Sequence, residues 1–231
     1  MSETALLVMV KAPLPGLVKT RLAAAIGPAA ALCAYRAMVG NVLAAVDACG
    51  LPASIVYTPG PAREAVAGLC GPARRCLPQA PGDLGARMAA ALARAFADGA
   101  KKAVLIGSDL PLVTPGLLRR AAHILCTRPA VLGPADDGGY WLIGFGRDGF
   151  WPDVFTDMPW STPAVAALTL DRLAAAGRRP GILPRLPDCD TPGDLARLAG
   201  PPWREQLEAT PFGRFLAQGP AAMFDQNPGC R

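Results

Sequence analysis

The chain has 231 residues, of which 52% are hydrophobic and 18% are charged, and its formal net charge is +5. Such a composition excludes a disordered chain and suffices for one domain with a substantial core. The basic residues are dispersed, which excludes a stripe that binds nucleic acid, and no uncharged run reaches the ~20 apolar residues of a membrane span.

Several other classes of protein lack support in the sequence. The first residues have neither the basic leader nor the long apolar segment of a secretory signal, so we expect a cytoplasmic protein. Seven cysteines are scattered without the paired spacing of zinc or redox sites. With His123 as the single histidine, serine-hydrolase and zinc chemistry both lack their residues.

Short apolar runs alternate with helical patterns along the chain. Strands are predicted over 5–10, 53–57, 103–106, 130–132 and 140–145, with one more near 182–186. Helices are predicted over 28–48, 84–96, 115–125, 160–177 and 191–199. This alternation is typical of a largely parallel sheet covered by helices. After residue 200 the pattern weakens, so we expect a main domain over 1–200 and a C-terminal extension, 201–231, packed on it.

Ligands in such sheets bind beyond the carboxyl ends of the strands. The first segment in such a position, KAPLPGLVKTRL, carries Lys11, Lys19 and Arg21 around a Pro-Gly loop. Cations and exposed backbone donors suit a phosphate chain, although an ordinary solvated basic loop would have the same composition. The segment is not a Walker loop, because the Gly-Lys-Ser/Thr ending is missing.

Two further segments place carboxylates at strand ends. In IGSDLPLVTP, Asp109 follows an apolar strand, where it can either bind Mg²⁺ or Mn²⁺ beside substrate phosphates or cap the turn. In DCDTPGDL, Asp188 or Asp190 offers a second carboxylate, and Thr191 can cap the helix that follows. Asp190 could itself be that cap.

A fourth segment, GPADDGGYWLIG, puts two carboxylates at a sharp bend between apolar runs. Gly138 and Gly139 permit close approach of the backbone to a ligand, and Asp137 can orient a hydroxyl or act as a base. The simpler alternative is a tight turn that Asp137 stabilises.

The chain resembles the nucleotide-diphospho-sugar transferase superfamily of GT-A type in six motifs that occur in order: PGLVKTRL, GDLGARM, IGSDLPLV, GPADDGGYWLIG, PWST and DCDTPGDL. Within it, the similarity is greatest to a bacterial glycosyltransferase-like family linked with arsenosugar biosynthesis, and it spans roughly residues 5–200. The resemblance implies a Rossmann-like α/β/α sandwich with a mostly parallel mixed sheet. It also makes 1–200 the catalytic domain.

The same resemblance implies roles for individual residues. Asp109, with help from Asp190, would hold Mg²⁺ or Mn²⁺, and Asp109 and Asp137 are the catalytic candidates. The nucleotide would lie near Lys11, Lys19 and Arg21, with Gln79 and Gly82 close to its base or ribose. The residues that would face the sugar or acceptor are Asp137, Gly138, Gly139 and Tyr140.

Three functions stay open on this basis. The favoured one is a metal-dependent glycosyltransferase that uses a nucleotide-diphospho-sugar donor and a small-molecule acceptor. The VKTRL and DGG segments are also similar to phospholactate guanylyltransferases, which are nucleotidylyltransferases that release pyrophosphate. However, Pro-Leu-Pro-Gly replaces the Gly-rich signature of sugar-phosphate nucleotidylyltransferases. The third is a nucleotide-binding module without turnover, and a homo-oligomer is compatible with all three.

Overall fold

The computed structural model describes residues 3–226, and its centre is one β-sheet. Seven strands form that sheet within the described residues: β1 Thr4–Lys11, β2 Ala53–Thr58, β3 Arg75–Pro78, β4 Lys102–Gly107, β5 Ala130–Pro134, β6 Tyr140–Gly146 and β7 Gly181–Ile182. They pair in the order β3-β2-β1-β4-β6-β5-β7. Strand β6 is antiparallel to both neighbours, and the other pairs are parallel. The predicted mostly parallel mixed sheet is therefore confirmed.

Helices cover both faces of this sheet. They are α1 Thr20–Ile26, α2 Pro28–Cys49, α3 Arg63–Cys70, α4 Leu84–Ala97, α5 Pro115–Ile124, α6 Val165–Ala175, α7 Pro192–Leu198, α8 Trp203–Leu207 and α9 Pro211–Gln226. Alternate residues of β1 enter two separate cores, because strand side chains point to opposite faces. Leu6 and Val8 pack with α2 and α5, whereas Leu7 packs with α4. The fold is the α/β/α sandwich that the sequence predicts.

Helix α2 is the most extensively buried helix of this arrangement. Its 22 residues and a mean hydropathy of 1.5 would permit a membrane span by length and composition alone. However, 67% of that apolar window is buried inside the protein. Packing against the sheet and neighbouring helices accounts for the apolar composition, since a helix that is apolar on most sides is usually a core helix.

Two predicted elements are shorter than expected. The helix predicted over 160–177 begins only at Val165. Before it, Ser161 has a φ of 65°, which is incompatible with an α-helix, and Pro163 has no N–H to donate. The strand predicted near 182–186 ends at Ile182. Beyond it, the N–H groups of Leu183 and Leu186 donate to the β5 carbonyls of Leu132 and Pro134, and Leu186 forms an isolated bridge with Ala135.

Helices α8 and α9 follow residue 200, and α9 packs on α2. Phe212 and Phe215 of α9 are buried with their rings stacked 5.7 Å apart. The buried amide of Asn41 in α2 accepts from the Phe212 N–H (2.9 Å) and donates to the Pro111 carbonyl (2.8 Å). One side chain thus joins α2, α9 and the loop after β4. The domain boundary at residue 200 stays a prediction, and 227–231 lie outside the described residues.

We expect Asn41→Ala to destabilise the fold by about 2 to 4 kcal/mol, because it strands two buried backbone groups at about 1 to 3 kcal/mol each. The melting temperature should fall by roughly 5 to 12 °C for a chain of this size. Thermal unfolding measures the change. Asp47→Ala is a control on the same helix, since its pair with Arg74 is exposed and should contribute at most ~1 kcal/mol. Equal losses in both variants would contradict the role of Asn41.

Candidate functional site

A cavity of about 460 Å³ lies at the carboxyl ends of β1, β2 and β4. Lys11, Thr58 and Gly107, which end these strands, line it. The cavity also brings together most of the predicted site residues: Lys11, Lys19, Arg21, Gln79, Asp109, Asp137, Gly139, Tyr140 and Asp190. This is the position at which open α/β sheets bind ligands.

One ammonium group joins two of the predicted metal ligands. The Nζ atom of Lys19 lies 2.6 Å from Oδ2 of Asp109 and 2.7 Å from Oδ1 of Asp190. The Lys19 side chain is only 3% exposed, whereas the Asp109 and Asp190 side chains are 42% and 31% exposed. Arg21 contacts the other oxygen of Asp190 from the solvent side. Three segments that are far apart in the chain therefore meet at this charge cluster.

The ion pairs of Lys19 and Asp190 stabilise the charged forms of both side chains, which burial alone would disfavour. Burial alone would lower the pKa of Lys19, but the carboxylates of Asp109 and Asp190 outweigh it and raise that pKa above its ordinary value. Burial would likewise raise the pKa of Asp190, yet Lys19 and Arg21 lower it. Lys19 and Asp190 are therefore both charged at neutral pH.

Hydrogen bonds around Tyr35 fix the strand ends that carry Lys11 and Asp109. The Tyr35 hydroxyl accepts from the N–H of Lys11 (3.0 Å) and donates to its carbonyl (2.9 Å). The same hydroxyl lies 3.1 Å from Oγ of Ser108, which directly precedes Asp109. The ends of β1 and β4 are thus held in register beneath the cavity.

A capping box at the start of α7 positions Asp190. The Asp194 carboxylate accepts from the N–H groups of Asp190 (3.1 Å) and Thr191 (2.9 Å), while Thr191 caps the helix by accepting from the Asp194 N–H. Asp190 is therefore not the helix cap. Asp109 is not a cap of α5 either, because Thr114 holds that position.

The residues present fit a divalent cation that is shared with phosphates. Asp109 and Asp190 already converge on a single cation, the Lys19 ammonium. Within residues 3–226, no three Asp, Glu, His or Cys side chains form a metal cage. A metal here would have two protein carboxylates, with its remaining ligands from phosphate and water. Mg²⁺ and Mn²⁺ in nucleotide sites commonly have such an incomplete protein shell.

Another part of the cavity wall combines a carboxylate with aromatic and hydroxyl groups. Asp137, Tyr140, Trp160, Ser161 and Thr162 all line it. Asp137 accepts from the Gly139 N–H (2.8 Å), and the Tyr140 and Trp160 rings meet edge to face at 6.5 Å. Aromatic faces beside hydroxyls and a carboxylate suit a polyhydroxylated group.

Two of the predicted glycines do not line the cavity within the described residues. Gly138 has a φ of 86°, and a Cβ there would lie 2.2 Å from the carbonyl oxygen of Pro163. Its close approach is therefore to the 160–164 loop. Gly82 has a φ of 111° and accepts from Arg87 Nε through its carbonyl. Ligand contact by either glycine stays a prediction.

Sequence reasoning missed several residues that line the cavity. Arg87 was not among the predicted site residues, and Trp160, Ser161 and Thr162 were predicted to lie in a helix; all four line the cavity. The PWST motif was the available signal, because its Pro and its short polar residues interrupt the apolar spacing. Asp188 also lines the cavity, where burial and then the neighbouring Asp137 carboxylate raise its pKa. Asp188 is therefore a second carboxyl group in the cavity, two residues from Asp190.

The sequence matches one family model, described as "Uncharacterized protein conserved in bacteria (DUF2064)", over residues 42–162. No curated protein matches the chain.

Solved structures support the fold. A candidate nucleotide-diphospho-sugar transferase from Desulfovibrio desulfuricans G20 is 35% identical with a TM-score of 0.91, covering 97% of this chain and 98% of that one. A Methanothermobacter nucleotidyl transferase is 19% identical (TM-score 0.54; 86% and 96% covered). Mycobacterium tuberculosis glucosyl-3-phosphoglycerate synthase, solved with Mn²⁺ and UDP, is 11% identical (TM-score 0.50; 89% and 78% covered). The last two show the fold alone.

We expect Gly138→Ala to destabilise the protein by about 2 to 5 kcal/mol, from backbone strain together with the overlap with Pro163. Urea unfolding measures this loss. Gly146→Ala is the matched control, because a Cβ at Gly146 meets no atom within 4 Å and its φ is negative. A change below about 0.5 kcal/mol is expected for the control. A Gly138→Ala variant as stable as the control would contradict the close contact.

Asp190→Asn should destabilise the protein by about 1 to 3 kcal/mol at pH 7, since hydrogen bonds to a charged group are lost. The folded state lowers the pKa of Asp190, so its contribution is fully present above the ordinary value near ~4 and is lost as the pH falls through the lowered value. Urea unfolding of both proteins between pH 7 and pH 3 should show their difference shrinking. A constant difference would mean that the Asp190 charge does not stabilise the fold.

Proposed function

The chain belongs to the DUF2064 family and shares the fold of nucleotide-diphospho-sugar transferases, and from this premise we propose that it is a metal-dependent glycosyltransferase. Its donor in this proposal is a nucleotide-diphospho-sugar, and its acceptor is a small molecule. The observation that carries the proposal is the convergence of Asp109 and Asp190 on one cation at the edge of a cavity that also contains Lys11 and Arg21.

The cationic side of the cavity suits the diphosphate. Lys11, Lys19 and Arg21 offer positive charge on β1 and the start of α1, where phosphate oxygens can be bound by charge-assisted hydrogen bonds. A bound Mg²⁺ or Mn²⁺ would neutralise charge that develops on the leaving phosphate. Gln79 borders the same cavity, although its Nε2 donates to the Val56 carbonyl. In this proposal it lies beside the base or ribose.

The wall that would bind the acceptor favours glycosyl transfer over nucleotidyl transfer. Tyr140 and Trp160 offer ring surface, and Ser161 and Thr162 offer hydroxyls. Asp137 is the proposed base, because it lies on the same wall and can accept a proton from an acceptor hydroxyl. Asp188 is a second acceptor of protons on this wall, and burial raises its pKa.

Nucleotidyl transfer is the second candidate, and Arg87 is the observation that favours it. Arg87 lies on α4, apart from Lys19 and Arg21, and lines the same cavity. A cation there could bind the phosphate of a phosphorylated acceptor while the triphosphate lies on the other cations. The narrower assignment to arsenosugar biosynthesis, the cytoplasmic location and a homo-oligomeric state rest on the sequence alone.

The proposal predicts that Mn²⁺ tightens nucleotide binding through Asp109. Thermal shift with UDP, GDP, ADP and CDP, each with and without Mn²⁺, should show a metal-dependent rise in melting temperature for at least one nucleotide. Asp109→Asn should abolish the metal-dependent part of that rise. Asp136→Asn is the control. The Asp136 carboxylate lies near the cavity but does not line it, and it pairs with Arg197.

Product analysis then separates the candidate functions. Release of a nucleoside diphosphate or monophosphate from a sugar nucleotide indicates glycosyl transfer, whereas pyrophosphate from a nucleoside triphosphate indicates nucleotidyl transfer. Binding without any product would indicate a module without turnover. Absence of nucleotide binding, or equal Mn²⁺ dependence in Asp109→Asn and the parent, would refute the proposed site.

A further inference from the structure

We propose that Lys19 occupies the cation position while no ligand is bound, so that the site accepts a divalent metal only together with a nucleoside diphosphate or triphosphate. The inference rests on the proposed function and concerns the class of ligand that the same site accepts. Its basis is the pair of contacts, 2.6 Å and 2.7 Å, that the Lys19 ammonium makes with Asp109 and Asp190. A metal that binds both carboxylates needs the space and the charge partners that Lys19 now has.

The charge balance of the cluster opposes binding of a metal alone. Lys19 and Arg21 supply two positive charges, and Asp109 and Asp190 supply two negative ones. These four charges sum to zero, and the other charged side chains that line the cavity, Lys11, Arg87, Asp137 and Asp188, balance each other as well. A divalent cation would add two uncompensated positive charges and would leave the Lys19 side chain, which is 3% exposed, without its carboxylates. Separating a buried charge from its partners is strongly unfavourable.

A polyphosphate removes both obstacles at once. Its oxygens offer Lys19 and Arg21 new anionic partners, and its negative charge compensates the metal. One phosphate oxygen has to receive the displaced ammonium while others complete the shell of the metal. A diphosphate has enough oxygens and charge for both tasks, whereas a nucleoside monophosphate carries less charge on a single group. We therefore assign the diphosphate as the smallest group that admits the metal.

The backbone keeps Lys19 near the site while its side chain changes partners. Lys19 precedes α1 in the left-handed conformation, with a φ of 49° and a ψ of 46°. A residue other than glycine in this region costs about 1 to 3 kcal/mol and persists where surrounding contacts enforce it. Leu22, which follows in α1, is fully buried and anchors the helix. The Lys19 side chain can therefore exchange Asp109 and Asp190 for phosphate without refolding of the loop.

The test measures Mn²⁺ binding by electron paramagnetic resonance of the free ion, with the full chain alone and with saturating UDP, GDP, ADP or CDP. The diphosphate that binds should tighten Mn²⁺ binding at least tenfold, within the usual range of coupling between sites. Its monophosphate should tighten it less than threefold. Coupling is reciprocal, so Mn²⁺ should tighten binding of the diphosphate by the same factor in calorimetry.

Lys19→Met tests the role of the side chain. Without the ammonium, Mn²⁺ alone should bind about tenfold more tightly than to the parent, and the enhancement by the diphosphate should shrink. Lys11→Met is the matched control, because Lys11 lines the same cavity and forms no ion pair with Asp109 or Asp190 among the described residues. It removes the same charge, so an equal gain in both variants would indicate a general electrostatic effect and overturn the proposal.

Each failure has its own signature. If no nucleotide binds with or without Mn²⁺, the proposed function fails. If Mn²⁺ and a diphosphate both bind the parent but without coupling, the proposed function stands and the role of Lys19 is refuted. The parent titrations decide this even where Lys19→Met does not fold, and circular dichroism of both variants reports folding.

Discussion

A buried ammonium between two carboxylates is the interaction on which the site depends. Lys19 comes from the loop after β1, Asp109 from the end of β4 and Asp190 from the segment before α7. A charged lysine side chain with 3% exposure requires partners, and its carboxylates require a countercharge. One electrostatic condition therefore favours the meeting of three segments that are far apart in the chain. Tyr35 beneath β1 and Asp194 beside Asp190 hold the backbones that present these charges.

The sequence predicted the sheet and its helices because their signals are local and redundant. Apolar runs such as those at β1 and β4 are buried on both faces, and amphipathic α4 buries Met88 and Leu92 against the sheet. Strand ends also follow from the sequence, and Lys19, Asp109 and Asp190 were found there. A single sequence does not show which residues that are far apart in the chain come into contact. Asp188 and Asp190 have similar local environments in sequence. The structure distinguishes them, because the capping box formed by Thr191 and Asp194 holds the Asp190 backbone and the Asp190 side chain pairs with Lys19.

The errors lie where contacts with distant residues override local preference. The apolar spacing over 160–177 favours a helix, yet residues before Val165 form a loop that contacts Gly138 of another segment. The steric demand for glycine at position 138 comes from Pro163 of this loop, and contact of Gly138 with a ligand stays a prediction. A positive φ at Ser161 has no signature in a single sequence, because serine rarely adopts it. Trp160, Ser161 and Thr162 of this loop line the cavity, where local consistency is commonly sacrificed for a binding surface.

The two sides of the cavity differ in how rigidly the surrounding protein defines them. The loop from Trp160 to Thr162 packs closely on two glycines. The Trp160 ring lies against Gly85, and the adjacent Pro163 lies against Gly138, where a Cβ would overlap with it. On the cationic side, Lys19 and Arg21 are held by Asp109 and Asp190, and ion pairs can exchange one anion for another without repacking of the core. The wall with Trp160 is thus shaped by sterics and the cationic side by replaceable charges. Under the proposed function, a site built this way would select its acceptor by fit and its diphosphate by charge.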